Sequence, residues 1–84
     1  MTYEQVEKRL RDDLNRAKVE AKIASDTFDA VVKDVPSGLP HPDGTQRIKN
    51  ASSEYITARA RWAYAVKRQH QFIMHRIVPD DLKD

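Results

Sequence analysis

The residues of this sequence that could do chemistry are its three histidines and an aspartate. One histidine and the aspartate lie in a proline-rich stretch, and the other two histidines lie further along the chain. His41 and Asp43 are separated by a single proline, and together they could hold a metal ion or exchange a proton. No third ligand or nucleophile lies near them, and the chain has no cysteine. His70 and His75 are five residues apart, about 140° around a helix, which is unsuitable for joint metal coordination. We therefore expect no catalytic residue, no metal site and no cofactor.

The second chemical signal is an excess of positive charge toward the C-terminus. Residues 48–78 carry six basic residues and one acidic residue, a balance of +5, whereas residues 1–34 have a balance of −1. A basic helix can contact a phosphate backbone. However, no helix-turn-helix, zinc-finger or RNA-binding motif accompanies these residues, and two of them, Arg61 and Arg68, have acidic partners in the predicted pairing of the two helices. Nucleic-acid binding by the basic second helix is therefore the alternative function, and the leading one lies elsewhere.

The elements that must position these residues are two long helices. Three of the four prolines and both glycines fall within residues 36–44, and about thirty residues on either side contain neither. Thr2 with Gln5, and Asp43 with Gln46, have the spacing of capping boxes at helix starts. The sequence therefore predicts one all-α domain over residues 1–84, with a helix over 3–34, a loop over 35–42, a helix over 43–78 and an acidic tail over 79–84.

Apolar residues at alternating spacings of three and four predict that the two helices pack as an antiparallel hairpin. We call these two rows the hairpin seam. In the first helix the seam consists of Tyr3, Glu7, Leu10, Leu14, Ala17, Ala21, Ala24, Phe28, Val31 and Val35. In the second it consists of Ile48, Ala51, Tyr55, Ala58, Trp62, Ala65, Gln69, Phe72 and Arg76. Folding the chain back at the loop places large residues opposite small ones, for example Phe28 opposite Ala51 and Trp62 opposite Ala17. Tyr55 and Trp62 are therefore expected in the core.

Charged and polar residues are expected to support the same pairing. The predicted register places acidic residues of the first helix beside arginines of the second: Asp34 beside Arg47, Glu20 beside Arg61, and Asp13 beside Arg68. Three polar members of the hairpin seam fall near its open end, where they could form a shared polar cluster that fixes the register: Glu7, Gln69 and Arg76. These residues lack the Glu-x-x-His pattern of carboxylate metal bundles.

A second apolar row on the second helix predicts self-association. This outward row consists of Ile56, Ala63, Val66, His70, Ile73 and Ile77. One partner helix cannot cover both rows, and the simplest closed arrangement is a homodimer that forms a four-helix bundle. His70 lies inside the outward row, so its protonation would place a charge in the interface and make the dimer pH-sensitive.

The loop offers a second place for another protein to bind. Its candidate recognition residues are Pro36, Leu39, Pro40, His41, Pro42 and Asp43. The N-terminus has no apolar stretch typical of a signal peptide, and no run reaches the ~18 apolar residues of a membrane span. We therefore expect a cytoplasmic, non-enzymatic helical hairpin without membrane contact. Its expected role is that of a structural, adaptor or regulatory interaction module, which binds itself and, through the loop or the outward row, another protein.

Overall fold

The computed structural model describes residues 1–34 and 42–83, the latter without the side chains of residues 42–44. Helix α1 spans Tyr3–Asp34, helix α2 spans Pro42–His75, and a single turn of 3₁₀ helix covers Asp80–Leu82. The described ranges contain no strand. The two helices pack against each other in a body of 56 × 19 × 17 Å, which confirms the all-α class and the pair of long helices.

Three side-chain contacts show that α1 and α2 run antiparallel. The rings of Tyr3 and Phe72 lie 5.9 Å apart, and those of Phe28 and Tyr55 lie 6.1 Å apart. Near the loop, Arg47 forms an ion pair with Asp34 at 3.9 Å, as the sequence predicts. As the residue number rises along α1, the number of the residue that it contacts on α2 falls. Phe28 meets Tyr55, one turn beyond the alanine at position 51 that the predicted register placed opposite it.

The start of α1 has the capping box that the sequence predicts. The backbone N–H of Thr2 donates to Gln5 Oε1 at 3.0 Å, and the backbone N–H of Gln5 donates to Thr2 Oγ1 at 3.2 Å. Two N–H groups that the helix itself leaves without partners are thereby satisfied. Helix α2 begins at Pro42, one residue earlier than predicted, because proline fits the first position of a helix. The expected capping by the Asp43 side chain lies outside the described atoms.

Small residues line the middle of the hairpin, and large ones fill its open end. The buried alanines are Ala17, Ala21, Ala51, Ala58 and Ala65. The cluster of large buried residues consists of Val6, Leu10, Phe72 and Leu82. The alanines let the two helix backbones approach closely, whereas most of the hydrophobic stabilisation is concentrated at the end away from the loop.

The hairpin seam departs from its prediction at several positions. Val6 is buried, while Tyr3 and Glu7, which the prediction placed in the seam, are exposed. Val6 lies four residues before Leu10, on the same helix face, and it faces the Leu82 side chain that the seam pattern did not include. Trp62 is 37% exposed rather than a core residue, because it lies at the edge of the contact with α1.

The C-terminal residues are part of the core and do not form a free acidic tail. Helix α2 ends at His75, three residues before the predicted end, because Arg76 adopts a left-handed backbone conformation with φ of 55°. The Arg76 N–H donates to the Phe72 carbonyl at 2.9 Å, which closes the last turn. The chain then turns back as a segment that we call the strap, residues 78–83, and Leu82 enters the core with 7% exposure.

Candidate functional site

The outward row of α2 is exposed in the structure. Its four large apolar members are exposed as follows: Ile56 65%, Val66 45%, Ile73 54% and Ile77 48%. Ala63 and His70, which lie between them, are exposed as well. The row begins in the middle of α2 and ends just past its last residue, so one continuous helix positions nearly all of it. Its contact with a second copy stays a prediction.

The predicted recognition loop lies almost wholly outside the described residues. Pro36, Leu39, Pro40 and His41 are not described. Pro42 and Asp43 form the first two positions of α2, and their side chains are outside the described atoms. The loop as a protein-binding site therefore stays a prediction.

The predicted polar cluster at the open end has a different form in the structure. Arg76 lies over two aromatic rings, with its guanidinium carbon 5.9 Å from the centre of Tyr3 and 5.7 Å from that of Phe72. Glu7 is exposed on α1, and Gln69 is only half-buried on α2. The open end is thus closed by a cation over aromatic rings and by the strap.

A groove between the helices is the feature that sequence reasoning missed. This interhelical groove has a volume of about 540 Å³. It is lined by Asn15, Lys18, Val19, Ala21, Lys22, Ser25, Asp26, Tyr55, Arg59 and Trp62. The helical periodicity predicts that Tyr55 and Trp62 lie in the hairpin seam. It does not indicate that both lie at one edge of the contact between the two helices.

Positive charge surrounds an apolar floor in the interhelical groove. Lys18, Lys22 and Arg59 border it, and the acidic residue on its lining, Asp26, is paired with Lys22 at 3.4 Å. Arg59 also lies over the Tyr55 ring, 5.7 Å from its centre. The arrangement can bind a molecule that is both apolar and negatively charged, because the floor favours apolar contact and the rim attracts anions.

A second polar site lies where the strap meets α2. Arg68 donates from Nη2 to both carboxylate oxygens of Asp81, and its guanidinium also lies over the ring of Tyr64 at 5.5 Å. The sequence placed Arg68 beside Asp13 instead. Asp13 and Arg68 do line one groove, but Arg68 forms its ion pair with Asp81, while Asp13 accepts a hydrogen bond from Arg9 at 3.2 Å.

The remaining predicted charge pair, Glu20 with Arg61, is not formed as an ion pair. Glu20 and Arg61 border the same small groove on the other side of the hairpin, together with Asp13 and Arg68. Of the three predicted pairs, the structure therefore shows an ion pair only for Asp34 with Arg47, where both side chains are largely exposed.

The described residues also limit which other sites are present. Within residues 1–34 and 45–83, whose side chains are described, no three histidine, aspartate or glutamate side chains lie close enough together to hold a metal ion. Neither described helix has a stretch long and apolar enough to cross a membrane. The chain matches no protein-family model, no curated protein and no solved structure.

Proposed function

We propose that this chain is a non-enzymatic, cytoplasmic helical hairpin that self-associates through the outward row of α2. In this proposal two copies form a four-helix bundle, and the bundle acts as a structural, adaptor or regulatory interaction module. The observation that carries the proposal is the exposure of three large apolar side chains, Ile56, Val66 and Ile73, along one face of α2, with a fourth, Ile77, exposed just past the end of the helix. Contiguous apolar surface of this kind marks association sites on proteins.

The energetics favour a modest but specific dimer. Covering one large aliphatic side chain that is about half-exposed contributes roughly 1 kcal/mol. Ile56, Val66, Ile73 and Ile77 from each of two copies would therefore contribute about 8 kcal/mol before the entropic cost of association. Micromolar association requires about 8 kcal/mol after that cost has been subtracted, so the remaining contacts of the interface must offset the cost. The population of dimer depends on protein concentration.

Two matched substitutions test which helix face is used. Ile73 on α2 is 54% exposed and Ile23 on α1 is 59% exposed, so the same change to glutamate introduces the same charge on two different surfaces. We expect Ile73→Glu to give a monomer and Ile23→Glu to leave the dimer intact, as measured by light scattering on a sizing column. A dimer that survives Ile73→Glu but not Ile23→Glu would place the interface on α1.

The alternative function is weak nucleic-acid binding by α2. Exposed basic residues favour it: Lys49, Arg59, Arg61, Lys67 and Arg76. Against it, Arg59 and Arg76 already lie over aromatic rings of their own chain. A mobility-shift assay distinguishes the two functions, because binding to phosphates falls steeply as salt rises. We expect no shifted band at about 50 mM salt, and a band that disappears as salt is raised would support the alternative.

A further inference from the structure

We propose that the interhelical groove binds an acidic amphipathic helix of another protein. This inference goes beyond self-association, because the groove and the outward row have no residue in common. The groove lies between α1 and α2, whereas the outward row lies on α2 alone. The two surfaces can therefore be altered separately.

The shape of the groove suits a helix. Its lining on α1 extends from Asn15 to Asp26, which is roughly 16 Å, or three turns, at 1.5 Å per residue. Two packed helices present a furrow along their contact, and a third helix can lay its apolar face into it. A volume of about 540 Å³ accommodates several side chains from one face of that helix.

The floor of the groove supplies the apolar contact. Val19 is 58% exposed and Trp62 is 37% exposed, and Ala21 and Tyr55 complete the apolar part of the lining. A partially exposed tryptophan beside an aliphatic residue is typical of the anchors that dominate protein interfaces. Covering these side chains would favour binding of leucine-like residues through the hydrophobic effect.

The charge of the rim selects the kind of helix. Lys18, Lys22 and Arg59 give the lining three positive charges against the single negative charge of Asp26. A helix with glutamate or aspartate beside its apolar residues would place its carboxylates near these cations. A helix with lysine or arginine there would be repelled, so the rim favours acidic partners over basic ones.

The aromatic residues of the groove favour a peptide over a nucleobase. Single-stranded nucleic acids bind by stacking bases on free aromatic faces. Here the Arg59 guanidinium lies over the Tyr55 ring at 5.7 Å, and the Phe28 ring meets Tyr55 edge to face at 6.1 Å. Tyr55 is thus occupied by contacts within the chain, and the remaining apolar surface suits aliphatic side chains.

Fluorescence of Trp62, the one tryptophan of the chain, reports directly on the groove. The probe is a synthetic peptide with leucines on one helical face and glutamates beside them, titrated into the full chain at low salt. We expect the Trp62 emission to shift to shorter wavelength and to saturate. The same peptide with lysines in place of the glutamates should leave the emission unchanged.

Two triple variants separate the rim from the overall charge. Changing Lys18, Lys22 and Arg59 to glutamine should weaken binding of the glutamate peptide about tenfold, because each exposed cation contributes modestly. The control changes three exposed basic residues outside the groove to glutamine: Arg11, Lys49 and Lys67. This control variant loses the same number of positive charges, and its affinity for the glutamate peptide should fall less than twofold. Circular dichroism checks that both variants remain helical.

Four outcomes would overturn the proposal. The first is no shift with the glutamate peptide at about 1 mM, or an equal shift with the lysine peptide. The second is an equal loss of affinity in both triple variants. The third is quenching of Trp62 by an oligothymidylate in place of the peptide, which would assign the groove to nucleic acid. The fourth is a shift that grows with protein concentration alone, which would assign it to a second copy.

Discussion

Arg68 on α2 and Asp81 in the strap form an ion pair that joins two parts of the chain thirteen residues apart. A single guanidinium nitrogen, Nη2, lies 3.0 Å from one carboxylate oxygen and 2.9 Å from the other. The Arg68 side chain is only 15% exposed, whereas that of Asp81 is 60% exposed. Because Leu82 follows Asp81 directly, the ion pair holds the strap where its leucine enters the core.

We predict that Asp81→Asn destabilises the fold by about 1 kcal/mol, which corresponds to roughly 5 °C in the melting temperature. The change removes the charged acceptor of the largely buried Arg68 guanidinium. The Nε atom of that guanidinium already has no hydrogen-bond partner. The control is Asp80→Asn, whose carboxylate pairs with Lys83 at 98% exposure and should contribute little. Equal melting temperatures for the two variants would contradict a stabilising role for the Arg68–Asp81 pair.

Removing the buried leucine of the strap tests whether the C-terminal residues belong to the core. Leu82→Ala should destabilise the chain by about 2 kcal/mol, at the lower end of the range for buried leucines. Met74→Ala is the matched control, since Met74 is 61% exposed, and should change stability by less than about 0.5 kcal/mol. Urea unfolding measures both. A Leu82→Ala variant as stable as Met74→Ala would mean that the strap is not packed.

The left-handed conformation of Arg76 gives a prediction about backbone strain. Arginine at φ of 55° is less favourable than glycine by about 1 kcal/mol. Arg76→Gly and Arg76→Ala both remove the guanidinium from Tyr3 and Phe72, so the difference between them reports the backbone alone. We expect the glycine variant to be the more stable of the two by about 1 kcal/mol in thermal unfolding. Equal stability would show that the left-handed turn is absent.

Both ends of α1, and the start of α2 to within one residue, could be predicted from the sequence, whereas the end of α2 could not. The Thr2–Gln5 capping box and the alanine positions follow from local spacing, and the structure confirms them. The end of α2 was misplaced because glycine or asparagine usually marks a left-handed turn, and here the turn is made by Arg76. A helical repeat also carries no information about where a residue beyond the helix folds back, so the burial of Leu82 was missed.

Of the two candidate surfaces, the sequence predicts the outward row but not the interhelical groove. The outward row was identified because its spacing is regular, and the structure shows each of its members exposed. The interhelical groove depends on how far Trp62 is displaced toward the edge of the helix contact, which is decided by the packing of the whole hairpin. Spacing alone cannot reveal that displacement.

The most direct test of self-association is the solution mass of the unmodified chain, measured by light scattering at about 10 and 200 μM, a range chosen to span a micromolar dissociation constant. One chain has a mass of 9.7 kDa, so a dimer has a mass of 19.4 kDa. We expect the measured mass to approach the dimer value at the higher concentration. A mass that stays at 9.7 kDa at both concentrations would contradict the proposal that two copies join through the outward row.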